Sequence, residues 1–175
     1  MSPRAVLIGL PGTGKSTTGR RLAKILAVPF ADTDDLVEKA QGRDVRRIFA
    51  ESGEDAFRAV EAETIQAALL EFDGILALGG GALMTASVRD AICASAVPVV
   101  LLQACTDTLA SRVGDAHTRP LLREAPQRRL AELAEQRGPT YRAAATIIVE
   151  TDNRTPGQVA ATVAARLHER ARSER

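Results

Sequence analysis

Gly9-Leu10-Pro11-Gly12-Thr13-Gly14-Lys15-Ser16 fills every fixed position of the pattern G-x-x-x-x-G-K-[ST], and its reading decides the fold. Before it, Ala5-Val6-Leu7-Ile8 is an apolar run suited to a buried parallel strand. After it, the chain from Thr17 predicts a helix with Leu22, Ile25 and Leu26 on one face. A glycine-rich loop at such a junction offers an anion its backbone N–H groups and the positive end of the helix. Gly12, Thr13, Gly14 and Thr17 are therefore expected to surround the phosphates of a nucleotide. Lys15 is expected to reach the β- and γ-phosphates, and the Ser16 hydroxyl to ligate Mg²⁺.

Outward from that loop, apolar runs alternate with helical patterns. Val28-Pro29-Phe30-Ala31-Asp32 reads as a strand, and Thr33-Asp34-Asp35 as a turn into a short helix closed by Gly42. A short amphipathic helix over 45–50 and a longer one over about 56–71 follow. Ile75-Leu76-Ala77-Leu78 is a strand running into Gly79-Gly80-Gly81, a triplet that lets backbone approach a ligand closely. A helix near 88–95, a strand over 97–102 and a helix over 106–113 come next. The stretch 114–127 then loses periodicity, which marks a candidate mobile lid. A charged helix over 127–141, broken at Gly138-Pro139, a strand over 146–149 and a terminal helix from Thr155-Pro156 to about 170 complete the chain. This alternation implies a parallel sheet with helices on both faces, in one domain over 1–175.

Composition narrows the function class. The 175 residues carry 23 basic and 22 acidic side chains, so no global field recruits nucleic acid or a membrane surface. No apolar run is long enough to span a bilayer and no signal peptide opens the chain, so a cytoplasmic location is expected. Cys93 and Cys105 lack metal-like spacing and are expected to be buried, inert thiols; His117 and His168 add no ligand cluster.

A phosphate-binding loop needs an acid near its Mg²⁺, and Asp32 is the acid that ends an apolar strand. Ligands gather at the carboxyl ends of strands in such sheets, so Asp32 and Asp34 should both face the site. Asp32 suits the metal's surroundings; Asp34, farther out, suits a proton or hydrogen bond from a substrate hydroxyl, and Asp35 suits a helix cap. Arg58 and Glu61 share a helix face with Ile65 and Leu69. They form either a surface pair or, if partly buried, a guanidinium fork for a substrate carboxylate or phosphate.

Taken together, the sequence resembles the shikimate kinase family. The residues that carry the resemblance are the 9–16 loop, Asp32-Thr33-Asp34, Phe49 with Gly53-Glu54, and Phe57-Arg58-x-x-Glu61. Gly79-Gly80-Gly81-Ala82, Arg119-Pro120-Leu121-Leu122, Tyr141-Arg142 and Asn153-Arg154-x-Pro156 extend it over nearly the whole chain. The resemblance implies a three-layer αβα nucleoside monophosphate kinase-like fold with a five-stranded parallel sheet of order 2-3-1-4-5, a substrate-binding region over about 33–61, and a lid. It implies ATP and shikimate as substrates, Mg²⁺ as cofactor, and a monomer. By the same resemblance Asp34 would bind ring hydroxyls and help activate one of them, and Arg58 and Arg142 would clamp the carboxylate, with Glu61 orienting Arg58. Gly80 and Gly81 would contact the acceptor, Phe49 and Phe57 would pack around its ring, and Arg119 would meet the transferring phosphoryl group. Arg112 and Pro156 would flank the adenine, with Arg154 close by. The short approach Gly114-Asp115-Ala116-His117 departs from the family's lid and leaves its length open. Gluconate and nucleoside monophosphate kinases share such a donor site; the acceptor pocket separates them.

Overall fold

The computed structural model describes residues 2–114 and 126–173. Strands β1 (Ala5–Ile8), β2 (Phe30–Asp32), β3 (Ile75–Ala77), β4 (Val99–Gln103) and β5 (Ile147–Glu150) pair in parallel in the order β2-β3-β1-β4-β5. They alternate with helices α1 (Lys15–Leu26), α2 (Thr33–Gln41), α3 (Val45–Glu71), α4 (Ala86–Ser95), α5 (Thr106–Gly114), α6 (Pro126–Ala144) and α7 (Pro156–Ser173). The sheet order implied by the resemblance is the one observed.

Strand periodicity divides the core. Val6, Ile8, Leu76, Leu78, Val99 and Leu101 pack on one sheet face with Ile65 and Leu69 of α3, Ile92 of α4 and Tyr141 of α6. Ala5, Leu7, Ile75, Ala77, Val100 and Leu102 pack on the other with Leu22 of α1 and Val159 and Val163 of α7. Alternate residues thus feed opposite layers, and both faces are covered, as a parallel sheet requires. The result is an αβα sandwich in which β1 sits centrally and delivers the phosphate loop to the middle of the carboxyl edge.

Two local expectations need correction, and a third holds. No turn separates β2 from α2: Asp32 caps the helix by accepting from the Asp34 amide at 3.2 Å, so Thr33 is already helical. The expected helices over 45–50 and about 56–71 are both present: they meet at Gly53, whose φ of 80° and ψ of 175° break the helix inside the continuous span α3. Across that kink the Phe49 and Phe57 rings lie 4.6 Å apart. With Val37 and Ile48 they form a small separate core under the 33–61 region. The helix α6 runs unbroken through Gly138-Pro139. Pro139 cannot donate to the Glu135 carbonyl, but both residues are exposed, so water can satisfy that oxygen.

Cys93 and Cys105 are exposed rather than buried. Cys93 sits on α4 next to the buried Ile92, on the side turned from the core, and Cys105 stands just before α5. His117, Arg119 and nearly all of the 114–127 stretch lie outside the described residues.

Candidate active site

The carboxyl edge of the sheet opens into a cleft of about 1030 Å³ with the phosphate loop at its floor. Gly12 (φ 86°) and Gly14 (φ 84°) take left-handed backbone, which turns the loop tightly enough to aim its amides at one point. Thr13, almost fully buried, ties the loop to itself by donating from Oγ1 to the Leu10 carbonyl at 2.8 Å. Lys15 Nζ donates to the Gly9 and Leu10 carbonyls at 2.8 and 3.2 Å, which holds the ammonium within the loop.

At the start of α1, Ser16 Oγ donates to Asp32 Oδ2 at 2.6 Å, and Asp32 Oδ1 caps α2. A hydroxyl and a carboxylate side by side are the hard oxygen donors Mg²⁺ takes when phosphate and water supply its other ligands. Among the described residues no cluster of three or more acidic, His or Cys side chains offers an all-protein metal cage. The donor set thus fits a metal that arrives with a nucleotide.

The acceptor side is built by α2, α3 and the loop after β3. Buried Thr33 accepts the Gly79 amide on Oγ1 at 2.9 Å, which fixes the start of the glycine triplet beside Asp34. A β-carbon on Gly79 would stand 2.7 Å from Asp34 Oδ1 and 2.8 Å from Glu61 Oε1. Gly79 and Gly81 leave room for three side chains, Asp34 and Glu61 at Gly79 and Arg58 at Gly81, whereas a β-carbon on Gly80 would make only ordinary contacts.

Arg58 and Glu61 are a partly buried pair rather than a surface one. Arg58 Nη1 donates to Glu61 Oε2 at 2.7 Å, with Glu61 1% exposed, while Nη2 reaches Glu54 on the rim at 3.3 Å. Burial alone would lower the pKa of the Arg58 guanidinium, but the hydrogen bond and charge of Glu61 outweigh it and hold that pKa above its ordinary value. For Glu61 burial is the largest influence and raises its carboxyl pKa, with Arg58 opposing. Its Oε1 has no hydrogen-bond partner. The guanidinium also lies 5.3 Å from the Phe57 ring centroid, a cation–π contact that fixes its plane.

The second clamp expected at Arg142 is corrected. Arg142 is exposed and lines a separate cavity of about 370 Å³ behind the loop, near Leu10, Gly138 and Asp152. Arg137 enters the main cleft instead, donating from Nη1 to the Gly80 carbonyl at 2.7 Å. Leu130, Leu133, Arg137 and Tyr141 form one stripe at helical spacing, with both leucines and Tyr141 buried. Reading a helix break at Gly138-Pro139 hides that stripe, and continuous periodicity through it was the signal that would have found Arg137.

At the opposite end Arg112, Arg154 and Pro156 line the cleft. Arg112 Nη2 donates to the Thr151 carbonyl at 2.7 Å and Nη1 to Thr151 Oγ1 at 2.9 Å. Arg154 donates to the Glu150 carbonyl at 3.2 Å and to Thr162 Oγ1. Gly12, Thr13, Gly14, Lys15, Ser16, Thr17, Asp32, Asp34, Phe49, Phe57, Arg58, Glu61, Gly80 and Gly81 all line the same cleft. The cleft can hold a polyanion at the loop and a small anion beside Arg58 and Arg137, and the Asp34 carboxylate lines the same space.

Comparison with known proteins bears on the family. The family model described as shikimate kinase matches residues 11–168. A shikimate kinase of Mycobacterium avium (strain 104) is 48% identical over 169 residues, 95% of this chain and 94% of that one. One of Mycobacterium tuberculosis (strain CDC 1551 / Oshkosh) is 44% identical over the same shares. Among solved structures, shikimate kinase from Acinetobacter baumannii in complex with shikimate matches with a TM-score of 0.90 at 30% identity, covering 97% of this chain and 94% of that one.

Proposed function

The chain belongs to the shikimate kinase family, and its activity is the family's, transfer of the γ-phosphoryl group of ATP to the 3-hydroxyl of shikimate; we propose how its own residues divide that work. Arg58, held by Glu61, and Arg137, held by Gly80, clamp the shikimate carboxylate as two planar forks. Phe49 and Phe57 close on the ring from the α3 side. Asp34 binds the ring hydroxyls and takes the proton from the 3-hydroxyl as its oxygen bonds to the γ-phosphorus. The bond to the β-phosphate oxygen breaks, and its electrons leave with ADP.

The loop amides from Gly12 to Thr17 and Lys15 hold the phosphates, and Arg119 meets the phosphoryl group in transit. Ser16 and Asp32 would hold Mg²⁺, which supplies neutralisation of phosphate charge. Arg112, Arg154 and Pro156 flank the adenine. No covalent enzyme intermediate is needed, because positioning and charge complementarity carry phosphoryl transfer.

The observation that carries this reading is the Glu61-held Arg58 sharing one cleft with the phosphate loop, Arg137 and Asp34. A nucleotide acceptor would call for a base-stacking wall, whereas the aromatic residues here, Phe49 and Phe57, pack on each other and under Arg58. We further propose one kinase domain acting as a cytoplasmic monomer on the route from shikimate to chorismate and the aromatic amino acids, with no nucleic-acid or membrane partner. The near balance of charge supports that placement. Among the described residues no helix is long and apolar enough to cross a membrane.

ADP release measured with ATP and shikimate, gluconate or AMP tests the assignment. Turnover with shikimate alone is expected; a comparable kcat/KM with gluconate or AMP would overturn it.

A further inference from the structure

Tyr141 is 3% exposed, yet its hydroxyl is the polar end of a largely apolar neighbourhood that includes Leu76, Leu78, Ala82 and Leu83. That hydroxyl donates to the Gly80 carbonyl. Arg137, one turn earlier on α6, donates to the same carbonyl at 2.7 Å. Phenol and guanidinium thus meet on one carbonyl oxygen. Burial raises the phenol's pKa, so it remains a protonated donor across the working range. The Arg137 Nε is buried without a partner, so the fork depends on its Nη atoms and on what holds them.

We propose that Tyr141 is a positioning residue for the acceptor: its hydroxyl sets the orientation of the Gly80 carbonyl and, through it, the plane of the Arg137 guanidinium. This rests on the reading of Arg137 as a carboxylate clamp. The geometry explains why an aromatic with a hydroxyl stands at this core position, where phenylalanine would fill the same space. Without the hydroxyl, the Gly80 carbonyl keeps one of its two donors, so the carbonyl that anchors Arg137 turns and the fork pivots with it. The phosphate loop's own hydrogen bonds, Thr13 and Lys15 to the Gly9 and Leu10 carbonyls, use neither group.

The test compares wild type, Tyr141→Phe, Arg137→Met and the double variant, measuring kcat and KM for shikimate and for ATP, and the thermal midpoint. Tyr141→Phe should raise the shikimate KM roughly 10-fold, leave the ATP KM within about 2-fold, and hold the midpoint close to wild type. In the Arg137→Met background the same substitution should change the shikimate KM by less than about 2-fold, since the group it positions is gone. An unchanged KM in Tyr141→Phe, equal effects on both substrates, or the same fold-change with and without Arg137 would overturn the proposal. Failure of the acceptor assignment would be seen separately, as wild-type enzyme that does not turn over shikimate.

Discussion

Gly81 lies flat against the Arg58 guanidinium: a β-carbon there would stand 2.4 Å from Nη2 and 2.8 Å from Cζ. The glycine is needed for the space it leaves and not for unusual backbone, since its φ of −107° is open to any residue. Gly81→Ala should therefore fold normally yet push Arg58 off its Glu61 anchor. A displacement near 1 Å should cost about 10²-fold in kcat/KM for shikimate. ATP binding, measured by titration without acceptor, should stay within about 2-fold of wild type.

Arg137 and Arg142 separate by the face of α6 they occupy. Arg137→Lys should raise the shikimate KM by roughly 10- to 100-fold, because a point charge cannot reproduce a fork held on the Gly80 carbonyl. Arg142→Ala should leave both KM values within about 2-fold. Steady-state kinetics of the two variants side by side decides between them.

Glu61 makes acceptor binding sensitive to acid. Its carboxyl pKa is raised above 4.5 by burial, so falling pH neutralises it and frees Arg58 while the exposed carboxylates are still charged. The acid limb of kcat/KM for shikimate should accordingly lie above pH 4.5, and Glu61→Gln should remove it at the cost of a higher KM. The consequence for folding has the opposite sense. A group whose folded pKa is raised contributes stability fully present below 4.5 and lost as pH rises through the folded value, so Glu61→Gln should flatten that part of the stability profile.

Asp32 has two roles that substitutions can part. It accepts from Ser16 Oγ on one oxygen and caps α2 on the other. Asp32→Ala should lose the cap, worth about 1 kcal/mol and a fall of roughly 2–4 °C in thermal midpoint, together with Mg²⁺ use. Asp32→Asn should retain most of the cap and still raise the Mg²⁺ concentration needed for half-maximal activity. The midpoint and a Mg²⁺ titration of both variants give the answer.

Much of the fold was legible because its signals are local. The phosphate loop marks a strand–turn–helix, and short continuous apolar runs mark the strands. Strand order came from family resemblance, since nothing local in Ile75-Leu76-Ala77 says that it lies between β1 and β2. Misread places were those where tertiary context overrides a breaker. Pro139 punctuates the sequence, but the buried stripe through Tyr141 carries α6 across it, whereas Gly53 does interrupt α3 and the Phe49–Phe57 contact joins its two halves. The acceptor site was half legible for the same reason. Arg58 and Glu61 are neighbours within α3, whereas Arg137 meets Gly80 only through the packing of α6 on the loop after β3.

The central claim is that two anchored guanidiniums read a carboxylate on the acceptor, with Arg58 held by Glu61 and Arg137 by Gly80. The most direct measurement is the ratio of kcat/KM for shikimate to that for shikimate carboxamide in the wild-type enzyme, at saturating ATP and Mg²⁺. Removing the anion leaves two buried forks without their partner, so the ratio should be about 10² or larger, carried mainly by KM. A ratio within about 3-fold of unity would contradict the account.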